Sequence, residues 1–140
     1  MTDDMLLVVD DDRSMRELMA CILTTQGYRV LSAADGYEAL ARYWSYREQI
    51  RLVLLDMVMP KMTGEETLAE MKKNNPLVRV LVTSGCPSEM FPALIGDPCV
   101  VGFVSKPFTA QVLLDSIQTA LTDIHAAIQW IHTPHPSRFA

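Results

Sequence analysis

The chain lacks the cysteine spacing of a stapled or metal-clipped protein. Its three cysteines, Cys21, Cys86 and Cys99, make an odd count without a C-x-x-C pair, which argues against a disulfide framework and against structural zinc. Long apolar runs are also missing: none approaches the roughly 20 residues of a membrane-spanning helix, and no signal-peptide core follows Met1. Positive charge is in deficit, with 12 Lys and Arg against 17 Asp and Glu and a net charge of −5. That balance speaks against a nucleic-acid surface. These absences together lead us to expect a cytoplasmic protein that neither inserts into a membrane nor binds nucleic acid directly. Cys21, within a helical pattern, is expected in the core, and Cys86 is expected to be exposed.

What is present is an ordinary globular composition, 49% apolar and 21% charged over 140 residues, enough for one domain with a real core. Short apolar runs alternate with amphipathic stretches. Strands are expected at Leu6 to Val9, Tyr28 to Ala33, Arg51 to Leu55, Val78 to Val82 and Val100 to Val104. After the first run, Met15, Leu18, Met19, Ile22 and Leu23 mark one helical face, with Asp12 as N-cap and Gly27 as stop. Asp35-Gly36-Tyr37-Glu38 and Thr63-Gly64-Glu65-Glu66 have the form of capping boxes. They open helices that end near Arg47 and at Asn74-Asn75-Pro76. Ser88 to Leu94 starts a helix that Pro92 interrupts. A last helix begins near Thr109 and, through Leu113, Ile117, Ala120, Ile124, Ala127 and Ile131, extends to about His132. Thr133 onward reads as a loose tail.

Five βα repeats with near-continuous Val/Leu strands predict an α/β fold, a doubly wound parallel sheet covered on both faces. In such sheets ligands sit at the carboxyl ends of the strands. Four of those ends are polar: Asp10-Asp11-Asp12, Asp56, Thr83-Ser84 and Lys106-Pro107. Asp10, Asp11 and Asp56 suit a hard divalent cation such as Mg2+, because without one their charges would repel. A carboxylate can also attack phosphorus to give an acyl phosphate, and Asp56, alone at its strand end, is the best nucleophile. Thr83 could donate its hydroxyl to a phosphoryl oxygen. Lys106 could pair with that group or with Asp56, and a cis Lys106–Pro107 bond would aim its ammonium inward.

These motifs resemble the receiver domain of two-component response regulators. The similarity covers about residues 4–122. It rests on Val8-Val9-Asp10-Asp11-Asp12, Leu54-Leu55-Asp56-Met57-Val58-Met59-Pro60 with Gly64, Thr83-Ser84-Gly85, and Phe103-Val104-Ser105-Lys106-Pro107-Phe108. The resemblance implies a (βα)5, flavodoxin-like fold with strand order 2-1-3-4-5. It implies that Asp56 accepts a phosphoryl group from a histidine kinase or histidine phosphotransfer protein. It further implies that Asp11, Asp56 and the Val58 backbone carbonyl bind Mg2+, with Asp10 acting mainly through water. Thr83 and Lys106 would hold the phosphoryl oxygens, and Thr83 and Phe103 would form a switch that alters the surface around the fourth helix, fifth strand and fifth helix. Such a chain is a signalling switch without a separate substrate. It acts on a downstream protein target or output domain.

Several positions depart from the family's familiar pattern. Phe103 lacks a tyrosine's hydroxyl, Val58 and Gly85 offer no polar side chain to orient water, and Pro92 shortens the fourth helix. The expected organisation is a receiver at residues 1–122 and a helical extension with tail at 123–140, where the last helix could join a second copy as a homodimer. A rival reading takes Asp10-Asp11-Asp12 as the D-x-D of a haloacid-dehalogenase-type hydrolase, with Asp10 as nucleophile. It leaves Asp56-Met57-Val58-Met59-Pro60 unexplained. A receiver kept only as a binding module is a further alternative.

Overall fold

The computed structural model describes residues 4–132. The order is β1 (Met5–Val9), α1 (Arg13–Thr25), β2 (Arg29–Ala33), α2 (Gly36–Tyr46), β3 (Ile50–Asp56), α3 (Gly64–Asn74), β4 (Val80–Ser84), a 3-10 turn (Ser88–Met90), α4 (Pro92–Ile95), β5 (Val100–Ser105) and α5 (Ala110–His132). The five strands pair in parallel in the order β2-β1-β3-β4-β5, as expected for the doubly wound sheet.

Successive side chains of a strand point to opposite faces, so each continuous apolar run feeds two cores. Leu7, Val9, Val53, Leu55, Val80 and Val82 pack with α2, α3 and α4 through Ala39, Tyr43, Leu68, Met71 and Leu94. Their neighbours Leu6, Val8, Leu52, Leu54 and Leu81 pack with α1 and α5 through Met19, Leu23, Leu113 and Ile117. This is why the central strands could not alternate apolar with polar residues.

The caps follow the sequence with one displacement. Asp12 caps α1 by accepting from the Met15 N–H, and Gly27 takes φ 92° after the helix. Thr63 and Glu66 form a complete capping box on α3. At α2 only half of the box forms. Asp35 accepts from Glu38 N–H at 2.8 Å, while the Glu38 carboxylate accepts from Ala34, one residue before the cap. The fourth helix is short, as Pro92 implied: a 3-10 turn, then four residues opened by that proline. β4 begins two residues later than expected, because Val78 N–H turns back to the Asn75 carbonyl at 3.1 Å.

Cys21 corrects the sequence reading. It is exposed, not in the core. Met19 and Leu23 are the completely buried residues of α1. Cys21 lies two positions from each, about 200° around the helix. Leu18, on the expected apolar face, is also 52% exposed. α5 runs without a break from Ala110 to His132, and among its described side chains the last core residues are Ala120 and Leu121. The expected seam at Ile124, Ala127 and Ile131, and the expected tail from Thr133, lie outside the described side chains and residues respectively. Among the described residues no helix is long and apolar enough to cross a membrane.

Candidate functional site

The parallel register carries all four polar strand ends to one edge. Asp56 stands opposite Thr83 in the β3–β4 ladder, and Ser84 stands opposite Ser105, which precedes Lys106. Two backbone bonds tie the edge together: Met57 N–H donates to the Thr83 carbonyl at 3.2 Å and Lys106 N–H to the Ser84 carbonyl at 2.8 Å. The Lys106–Pro107 peptide bond is cis.

Asp10, Asp11 and Asp56 come together as expected. Each offers a carboxylate oxygen, and these oxygens lie within 4.8 Å of one another. The three are not equivalent. Asp10 is fully buried, with Oδ1 accepting from Asp12 N–H at 2.9 Å and Oδ2 from Lys106 Nζ at 2.6 Å. Asp56 is 5% exposed; its Oδ1 accepts from Val58 N–H at 3.3 Å and its Oδ2 lies 3.4 Å from Lys106 Nζ. Asp11 is exposed. The ammonium therefore sits closer to Asp10 than to Asp56, whereas the sequence pointed to Asp56 as its carboxylate partner.

Burial pushes the Asp56 carboxyl above the usual carboxylate range; Lys106 opposes the shift and the Asp10 charge adds to it. Burial would lower the Lys106 ammonium, but its hydrogen bond to Asp10 and the charges of Asp56 and Asp10 hold it above an ordinary lysine. Among the described residues Lys106 is the cation ion-paired with Asp10 and Asp56, and Asp11 has none, which leaves the three carboxylates short of positive charge. Thr83 Oγ1 is buried without a hydrogen-bond partner, a costly state for a hydroxyl. An all-oxygen donor set and an unmet hydroxyl beside it fit a divalent cation and an oxyanion.

Phe103 does not join this cluster. Its register partner is Val82, so its ring goes to the α3–α4 side of the sheet, where it packs partly buried. Beside it lies a ≈ 260 Å³ cavity also lined by Ser84, Cys86, Phe91 and Ser105. Cys86 is half-buried there. Val58 is 60% exposed at the rim of the site. Arg16, which sequence reasoning did not single out, also reaches this edge: its Nη1 donates to the Asp10 backbone carbonyl at 2.8 Å.

The sequence matches the response regulator receiver domain over residues 6–118. The chain belongs to this family. Its members are phosphoacceptor switches of two-component signalling. A relative from Haemophilus influenzae, the CpxR homolog, is 37% identical over 122 residues, covering 83% of this chain and 49% of that protein. The chain spans about half the length of some transcriptional regulators it matches and about a quarter of others. A CheY-like receiver domain protein from Methanospirillum hungatei superposes with TM-score 0.81 at 27% identity, covering 90% of this chain and 99% of its own. The response regulator TrrA from Thermotoga maritima, solved in complex with magnesium and beryllium fluoride, superposes with TM-score 0.73 at 27% identity, covering 84% and 99% of the two chains. Membership of the receiver family displaces the hydrolase reading, and with it Asp10 as nucleophile.

Proposed function

We propose that Asp56 is the phosphoacceptor and that its partner is a histidine kinase or histidine phosphotransfer protein. The observation that carries this reading is the triad of carboxylates within 4.8 Å of one another beside an unpartnered buried Thr83 hydroxyl. The Asp56 carboxylate attacks phosphorus in line, the P–N bond to the donor imidazole breaks, and its electron pair leaves on the imidazole nitrogen. Asp11, Asp56 and the Val58 backbone carbonyl would hold Mg2+, with Asp10, saturated by Asp12 and Lys106, acting through water. When bound, the ion offsets charge on the phosphoryl oxygens. Thr83 donates its hydroxyl to one such oxygen, and Lys106 swings part of its charge from Asp10 toward another.

Engagement of the Thr83 hydroxyl draws it toward the phosphoryl group, and the ring of Phe103 follows into the adjacent cavity. The ≈ 260 Å³ of space beside Phe103 supports two ring positions whose balance phosphate can shift. The readout surface is the neighbourhood of α4, β5 and α5, read by a downstream protein or an output domain. We place the receiver at residues 1–122 and assign the continuation of α5 to an extension, with a homodimer through that helix as one use. Direct nucleic-acid binding is not part of this reading, nor is a substrate other than the phosphodonor.

Incubation with Mg2+ and acetyl phosphate, followed by intact mass, tests it. A gain of one phosphoryl group that disappears in Asp56→Asn is expected. No gain would favour a receiver that only binds partners, and a gain that survives in Asp56→Asn would move the acceptor elsewhere.

A further inference from the structure

Arg16 is the fourth residue of α1, and its side chain runs back over the helix start to the Asp10 carbonyl, 2.8 Å from Nη1 in a part-buried setting. That carbonyl belongs to the peptide unit joining Asp10 to Asp11. A peptide unit is planar, so fixing its oxygen also fixes the direction in which the Asp11 backbone departs.

The consequence falls on Asp11. The Asp10 carboxylate is already held by Asp12 N–H and Lys106, and Asp56 by Val58 N–H, with Lys106 beside it. Among the described residues the exposed Asp11 carboxylate has no hydrogen bond or ion pair. Its aim toward the other two carboxylates therefore depends on its backbone. We propose that Arg16 is a positioning residue: its bond to the Asp10 carbonyl sets the β1–α1 turn so that Asp11 faces the cation position it shares with Asp56. The inference rests on the Mg2+ reading above.

Charge and position make opposite demands here, which gives the test its sign. A guanidinium near three carboxylates repels a divalent cation, so if Arg16 acted by charge alone, its removal would tighten Mg2+ binding. If it acts by orienting Asp11, its removal weakens binding. Calorimetric titration of the metal alone into the full chain, without phosphodonor, measures this for wild type, Arg16→Met, Arg16→Lys and Asp11→Asn. We expect Arg16→Met to weaken Mg2+ by about tenfold, the size typical of losing a group that orients a metal ligand. Arg16→Lys, which keeps a donor and the charge, recovers part of the loss. Unchanged or tighter binding in Arg16→Met overturns the proposal, as does an Arg16→Lys variant no better than Arg16→Met. Asp11→Asn separates the two readings: if it binds Mg2+ as wild type does, or if wild type binds none, the metal assignment itself fails. Should Arg16→Met not fold, Arg16→Leu, which likewise has neither donor nor charge, supplies the same comparison.

Discussion

Gly64→Ala should damage the acceptor site through its backbone. Gly64 opens α3, and its N–H donates to the Met57 carbonyl at 3.0 Å. A Cβ there would lie 2.4 Å from the Asp56 backbone oxygen, 2.6 Å from Met57 Cε and 2.7 Å from Met57 Cα. The Met57 methyl can swing aside, but the two backbone atoms cannot. Ordinary contact begins near 3.4 Å, so about 1 Å must come from moving α3 or the end of β3. That strand end is pinned by the Asp56–Thr83 pairing and by the bond from Met57 N–H to the Thr83 carbonyl. Forcing extra volume into such a place costs about 2–3 kcal/mol. Alanine's better helix propensity returns up to about 1 kcal/mol, leaving a net loss of about 1–3 kcal/mol.

Urea denaturation reads that loss, and labelling by acetyl phosphate reads the site. A displacement of the order of 1 Å at a reacting group lowers the rate by about a hundredfold, so labelling should slow by at least tenfold. Gly85→Ala is the control: nothing lies within 4 Å of its Cβ position, and its stability should stay within about 0.5 kcal/mol of wild type. A Gly64→Ala protein as stable as wild type and labelled at the wild-type rate would refute the packing argument.

Three further outcomes are expected. Thr83→Val removes the unpartnered buried hydroxyl and should stabilise the unphosphorylated fold by about 1 kcal/mol while slowing labelling; a destabilised variant in urea would contradict this. Burial raises the Asp56 carboxyl, so the folded state holds that proton more tightly than the unfolded one, and the ionised group costs stability above its folded pKa. Metal-free Asp56→Asn should therefore be more stable than wild type at neutral pH, with the gap closing as pH falls through the raised pKa toward the ordinary carboxyl value; denaturation midpoints whose gap stays constant into acid would count against it. Val58, exposed and apolar, and Gly85 cannot orient an attacking water, so the acyl phosphate should be long-lived. Decay within seconds in a phosphate-release assay would sink that idea, and Val58→Asn should shorten the lifetime.

The alternation of strands and helices was legible because it is a property of neighbours in the chain. The apolar face with Met19 and Leu23, the Thr63 box and the proline at position 92 each act over one or two helical turns. Cys21 departs from this, although its place was also legible: the face of Met19 and Leu23 already puts it about 200° away, toward solvent, and that spacing outweighs the apolar character of the residue type. Arg16 escaped notice because a basic residue in a first helical turn looks solvated. Only the fold of the turn shows it reaching back to the Asp10 carbonyl.

The sequence by itself determined the element order and which side chains end the strands, since both follow from local periodicity and from parallel strands sharing an edge. Tertiary structure decided how those side chains divide the work. Lys106 meets Asp10 across 96 residues of chain at 2.6 Å, while Asp56 stands farther off at 3.4 Å and Asp11 is left exposed. Such distances depend on register, twist and burial summed over the whole sheet, and no stretch of sequence carries them alone.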